Sequence, residues 1–208
     1  CRLVTLLGAS GMGKTRLAVE TARSLALQQP GRFLHGVCFV PLAGMDAARL
    51  LPARLAEALG APSAGQEEPQ QQVIAFLRDR ELLLVLDNFE PLMDAAAWLS
   101  ELLAAAPQVK LLVTSQEPLR LREEWLLDLA GLAAPEQDLE VWDAAADYSA
   151  VNLFLQIARR LLPAYQPAPA DLRAICQVCR TLRGMPLGIE LAAVWIRQYA
   201  PAQMAAAI

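Results

Sequence analysis

No stretch of eighteen uninterrupted apolar residues occurs in this chain of 208 residues, and no basic segment followed by an apolar one opens it. The sequence therefore predicts neither a membrane-spanning helix nor an export signal of its own, and the expectation is a cytoplasmic protein without a membrane partner. Histidine is nearly absent: His35 is the only one, just ahead of a predicted strand, where a surface position is expected. Positive charge is short as well, with 18 Lys and Arg against 22 Asp and Glu for a net charge of −4. That balance exerts no general pull on a polyanion, so direct nucleic-acid binding by this segment is not expected. Four cysteines are too few for a disulfide framework at this length. Cys176 and Cys179 have metal or redox spacing, yet they fall inside a helical pattern with no second pair; helix packing is the expected role, with zinc or redox chemistry as the alternative. No internal repeat of roughly 20–50 residues is visible, which excludes a repeat array. The chain opens on Cys1 directly at a predicted strand and ends in a helix-like stretch, so a portion of a longer protein is expected.

What the chain has is apolar material, at 55% of its residues, arranged as alternating strands and helices. Strands are predicted over residues 3–7, 36–42, 81–87, 109–115 and 125–129, and helices over 15–27, 46–59, 70–80 and 91–105, with a polar loop at 63–69. This alternation is that of an α/β fold, a parallel five-stranded sheet flanked by helices. After Pro135 only helical periodicity remains, over 150–162, 170–182 and 187–199, punctuated by Pro163, Pro167, Pro169, Gly184 and Pro186. The expected organisation is an α/β domain over 1–133 and a helical subdomain over 134–208, with the boundary between Ala133 and Asp147. Trp125, Trp142 and Trp195 are expected to pack in the core or the subdomain.

Three constellations carry chemistry. Gly8-Ala9-Ser10-Gly11-Met12-Gly13-Lys14-Thr15 fits G-x-x-x-x-G-K-[ST] at every fixed position, between an apolar strand pattern and a helical one. Glycines let successive backbone N–H groups approach a clustered negative charge, and the following helix aims its N-terminal amides and dipole at the same place. Gly8, Ser10, Gly11, Met12, Gly13, Lys14, Thr15 and Arg16 are the expected nucleotide-binding residues, with Lys14 on the β- and γ-phosphates and the Thr15 hydroxyl on Mg²⁺. Next, Leu82-Leu83-Leu84-Val85-Leu86-Asp87 places a carboxylate at the carboxyl end of a buried strand, where open α/β sheets put their ligands. Asp87 is the natural further anchor for Mg²⁺. Three residues on, Glu90 has two readings, orienting or deprotonating a water, or capping the helix begun by Pro91. The third constellation, Lys110-Leu111-Leu112-Val113-Thr114-Ser115-Gln116, delivers polar residues beside the γ-phosphate if its strand lies between those of Lys14 and Asp87; Thr114 or Ser115 could then sense the phosphate, or merely form the turn.

Together with Gly184-Met185-Pro186-Leu187-Gly188-Ile189-Glu190, these segments resemble the nucleotide-binding oligomerisation module of STAND-class signalling ATPases. The branch they resemble is the bacterial group of LuxR- and SARP-type regulators and tetratricopeptide proteins related to NB-ARC domains. The resemblance covers nearly the whole chain and implies an AAA-like P-loop NTPase that binds ATP and ADP with Mg²⁺. It also implies that Pro186 lies against the nucleotide, where the bare sequence offers only a helix end and a helix start. One position departs from the family: Gln116 stands where relatives usually have an arginine that meets the γ-phosphate. Glutamine donates a hydrogen bond but no charge, so the implied enzyme is at most a slow ATPase. The resemblance further implies a closed ADP form and an ATP form that self-oligomerises through the full-length protein. The alternatives are a conventional P-loop enzyme such as a kinase-like phosphotransferase, and an interaction scaffold that no longer binds nucleotide.

Overall fold

The computed structural model describes residues 1–29, 31–62, 68–137 and 147–208. They divide into two compact units, Cys1–Ala9 with Lys14–Leu129, and Ser10–Gly13 with Ala130–Ile208.

In the first unit the chain runs β1 (Leu3–Leu7), α1 (Lys14–Gln28), β2 (Val37–Pro41), α2 (Leu51–Leu59), α3 (Pro69–Leu77), β3 (Leu83–Asp87), α4 (Ala96–Ala105), β4 (Lys110–Ser115) and β5 (Glu124–Asp128). The strands form one parallel sheet in the order β2-β3-β4-β1-β5. Strand β4 thus lies between β1 and β3, the condition on which the sequence reading of its polar end depended. Side chains alternate across a strand, so the central runs of leucine and valine serve two layers at once. Leu3, Leu84, Leu86, Leu111 and Val113 face one way and pack with Leu55, Leu77, Leu99 and Leu102 of α2, α3 and α4. Leu6, Leu83, Val85 and Leu112 face the other and pack with Ala18 and Ala22 of α1.

Several elements differ from the sequence expectation. The helix expected over 46–59 opens as a 3₁₀ turn at Ala48–Leu50, and the one expected over 91–105 is split into a 3₁₀ segment at Glu90–Ala95 and α4. At the split Leu92 takes φ −115° and ψ 24° and is fully buried; apolar spacing does not separate the two helix types when both turn the same residues inward. Residues 63–67 of the expected polar loop lie outside the described residues. So does Trp142. Trp125 and Trp195, expected in packed interiors, are 66% and 43% exposed; Trp98 is the buried tryptophan of the first unit. Strand β5 is an edge strand, which is why its Trp-Leu-Leu run is not enclosed as the central runs are.

The second unit contains α5 (Ser149–Leu161), α6 (Pro169–Thr181), α7 (Pro186–Val194) and α8 (Pro201–Ala207). A proline opens α6, α7 and α8, as its missing N–H and fixed φ suit a first helical turn. Their apolar faces enclose Phe154, Leu155, Ile175, Cys176, Cys179, Ile189 and Met204. The unit begins earlier than the expected boundary at 133/134, because the connecting segment is stitched into it: Leu132 N donates to Gly184 O (2.8 Å), Ala133 N to Ser149 Oγ (3.0 Å) and Ala150 N to Ala133 O (3.0 Å). At the crossing a Cβ on Gly184, at φ +67°, would stand 2.0 Å from Leu132 O, and one on Gly131 2.0 Å from Arg183 O. Only a pair of glycines lets the two backbones approach so closely. Among the described residues no helix is long and apolar enough to cross a membrane.

Candidate functional site

The carboxyl ends of β1, β3 and β4 meet at Asp87. This side chain is 8% exposed, and its Oδ1 accepts hydrogen bonds from Thr15 Oγ1 (2.8 Å), in the first turn of α1, and from Thr114 Oγ1 (2.7 Å), near the end of β4. The hub exists because β4 inserts between β1 and β3, bringing residues far apart in sequence to one sheet edge. Thr114 does more than touch the carboxylate: its hydroxyl accepts from Asn88 N (2.9 Å) and its carbonyl from Phe89 N (3.0 Å). Asn88 takes φ +68°, in the left-handed region that asparagine enters more readily than most L residues, and these two bonds hold the turn there. A single threonine therefore fixes both the orientation of Asp87 and the turn leaving β3. The sequence offered Thr114 or Ser115 as a phosphate sensor, or merely as turn formers; here the Thr114 hydroxyl bonds Asp87 and Asn88. Its sequence signal, a hydroxyl one position short of a strand end, is too common to have revealed this role.

Ser115 is also engaged. Its Oγ donates to Glu117 O (2.6 Å) and accepts from Glu117 N (3.1 Å), closing the turn after β4. Gln116 is exposed and donates through Nε2 to Glu90 Oε1 (2.8 Å), while Glu90 Oε2 is buried without a hydrogen-bond partner. Glu90 stands in the first turn of the 3₁₀ segment with Phe89 as the N-cap, so its carboxylate is held sideways by Gln116 rather than on the helix amides.

At the phosphate-loop sequence, Lys14 Nζ donates to Gly8 O (2.8 Å) and Ala9 O (3.1 Å), which brings the ammonium back over the start of the loop. Gly11 and Gly13 take φ +80° and +88°, conformations that glycine adopts without strain. Ser10, Gly11, Met12 and Gly13 group with the helical unit. There, Leu187 N donates to Gly11 O (3.2 Å), a Cβ on Gly11 would sit 3.0 Å from Leu187 Cβ, and one on Gly13 would sit 4.0 Å from Pro186 Cγ. The Gly-Met-Pro-Leu segment thus packs on the glycine loop itself, through its backbone as well as its proline. Arg16, in the first turn of α1, is exposed.

The donor set suits the group that the motifs call for. A hydroxyl and a carboxylate 2.8 Å apart are hard oxygen ligands of the kind Mg²⁺ takes when substrate phosphates and water complete its shell. Clusters of three or more His, Cys, Asp or Glu that could hold a metal without a phosphate are absent among the described residues. Cys176 and Cys179 are buried on α6; burial above all, with Cys176 beside it, pushes the Cys179 thiol up to about 12, the state of a packed and unreactive cysteine. His35 is exposed and accepts from Glu81 N (3.0 Å).

The NACHT domain matches residues 2–136. A protein of Mycobacterium tuberculosis named as an HTH-type transcriptional regulator is 35% identical over 205 residues, covering 98% of this chain and 21% of its own length. The chain therefore spans about a fifth of that relative. Among solved structures, a Signal Transduction ATPase with Numerous Domains (STAND) protein with a tetratricopeptide-repeat sensor, from Pyrococcus horikoshii, superposes with a TM-score of 0.53 at 15% identity, over 92% of this chain and 26% of that one. The ORC2 protein of Aeropyrum pernix, solved as ADPNP–ADP complexes, superposes with a TM-score of 0.56 at 16% identity, over 94% of this chain and 54% of that one.

Proposed function

The chain belongs to the NACHT domain family of STAND-class P-loop NTPases, and from that premise we propose that it is an ATP- and ADP-binding switch module of a signalling or transcription-regulating protein. The observation that carries the reading is the Thr15–Asp87–Thr114 hub beside Lys14. Because Thr15 Oγ1 spends its proton on Asp87, its lone pairs are left for a cation; because Thr114 holds the same carboxylate oxygen, Asp87 enters the site already oriented. Bound Mg²⁺ would supply neutralisation of phosphate charge. In this reading Gly8, Ser10, Gly11, Met12, Gly13 and Arg16 bind around the phosphates and Lys14 leaves the loop carbonyls for the β- and γ-oxygens. Glu90 orients water for a slow hydrolysis, with Gln116 steadying it and bringing no positive charge of its own.

Regulation is supported by the bond from Leu187 N to Gly11 O. A ligand shifts an equilibrium only as far as it binds two arrangements differently. The glycine loop is held by the first turn of α7, so any rearrangement of the loop around phosphates alters what Pro186 and Leu187 can touch. A cytoplasmic setting, and self-assembly of the full-length protein in its ATP form, belong to the same reading. Titration calorimetry with Mg-ATP and with ADP on the wild type and on Lys14→Ala tests it. The lysine's charged hydrogen bonds, about 1.5–3 kcal/mol, predict binding weakened roughly 10- to 100-fold in the variant. No heat with either protein would instead establish a scaffold that binds no nucleotide.

A further inference from the structure

The sheet of the first unit is covered unequally. Strands of a parallel sheet are ordinarily enclosed on both faces. On one face α2, α3 and α4 do this; on the other the cover is α1, through Ala18, Ala22 and the partly buried Leu25, with Phe33 beside it. Beside α1 this second face opens into a groove of about 320 Å³ whose floor and walls include Val4, Leu6, Leu17, Leu25, Leu112 and Leu127. Leu17 on α1 is 40% exposed and Leu127 on β5 51%, and Trp125 continues the same face of β5 at 66%. The spacing of Leu17, Thr21 and Leu25 is that of a buried helix stripe, yet in this structure the stripe borders open space.

The rim adds a charge signature. Arg2, Arg32 and Lys110 line the groove and no described lining residue is acidic; the Arg2 guanidinium donates to Leu103 O, Ala106 O and Pro107 O, which leaves Arg32 and Lys110 as the cations of the rim. Lys110 Nζ sits 5.7 Å from the centre of the Phe33 ring, and Arg32 Nη1 donates to the neutral amide of Gln29. Two cations without a carboxylate, in a chain of net charge −4, are complementary to an acidic partner. They sit near the amino ends of the strands, with Lys110 opening β4, whereas the phosphate loop follows the carboxyl end of β1.

We propose that this groove is a docking site for an amphipathic α-helix that lays an aliphatic stripe along Leu17, Leu112 and Leu127 and presents carboxylates at one end to Arg32 and Lys110. An α-helix is about 10–12 Å across with its side chains, so it rests on the groove and sends only its apolar face in. Such a helix supplies the missing layer and the missing negative charge together.

The test uses two fluorescent synthetic helices of about sixteen residues with the same Leu/Ala stripe, one ending in glutamates and one in lysines, titrated by anisotropy against the 208-residue chain. The expected result is that the glutamate probe binds about tenfold or more tighter than the lysine probe, and that Arg32→Glu with Lys110→Glu reverses the preference. Leu127→Asp weakens both probes about tenfold or more, with Leu17→Asp as a second variant of the apolar wall should the first not fold. Equal binding of both probes, indifference to the charge reversal, or no binding at all overturns the proposal. Concentration-dependent dimerisation lost in Leu127→Asp, without probe binding, assigns the face to a second copy and overturns it too. Binding of dodecanoate in place of either helix, with the same dependence on Lys110, assigns the groove to a small amphipathic anion and does likewise.

Discussion

Thr114 offers the sharpest test of how the site is held, because two substitutions separate its hydroxyl from its methyl group. Thr114→Val keeps the shape and removes the hydroxyl. Asp87 then loses the 2.7 Å bond, a charge-assisted one of about 1.5–3 kcal/mol, and the Asn88 N–H is left without its acceptor at a further 1–3 kcal/mol or so. The sum, roughly 2.5–6 kcal/mol, is a large part of the 5–15 kcal/mol that a domain typically possesses. Thr114→Ser keeps both hydrogen bonds and removes one buried methyl group, costing about 1 kcal/mol. In urea, with a slope of about 2 kcal/mol/M, the valine variant should lose roughly 1.2–3 M of midpoint and the serine variant about 0.5 M. Hydrogen exchange at the Asn88 amide should accelerate in the valine variant and not in the serine one. Should valine prove as stable as serine or more so, packing and not the hydroxyl holds this strand end, and the account of the Asp87 hub fails.

Gly184→Ala should destabilise the helical unit by several kcal/mol or prevent its folding, since the new Cβ would meet Leu132 O at 2.0 Å, while Gly60→Ala, at a similar φ of +62° with nothing within 4 Å, should cost only about 1–2 kcal/mol; equal melting temperatures for the two variants would contradict this. Gln116→Arg should raise single-turnover ATP hydrolysis by about tenfold or more if the missing charge limits the rate, and an unchanged rate removes that explanation. With its thiol pushed up to about 12 by burial, Cys179 should stay unmodified by iodoacetamide at pH 8 in the native protein while exposed Cys1 reacts, read by peptide mass spectrometry; labelling should appear only on unfolding, or as pH approaches that value.

Much of the fold was legible in local pattern. Continuous apolar runs marked β1, β3 and β4, and prolines marked the starts of α6 and α7, because backbone sterics and strand or helix period act over a few residues. Of the candidate site, Lys14, Thr15 and Asp87 were readable because phosphate and Mg²⁺ demand particular residue types at particular spacings. Trp125 and Trp195 were misjudged for the opposite reason. Whether an apolar side chain is enclosed depends on which element packs over it, and periodicity says only that it could be.

What the amino-acid order determined alone is the identity of the strands, the glycine loop able to approach phosphates, and the presence of a helical tail. The tertiary structure decided the rest: that β4 slides between β1 and β3, so that Thr114 clamps Asp87 and Asn88; that Gly131 and Gly184 meet backbone to backbone; that Gln116 holds Glu90; and that Leu187 reaches Gly11. Each of these joins residues distant along the chain, and such partners are chosen by topology and close packing, which no local spacing encodes.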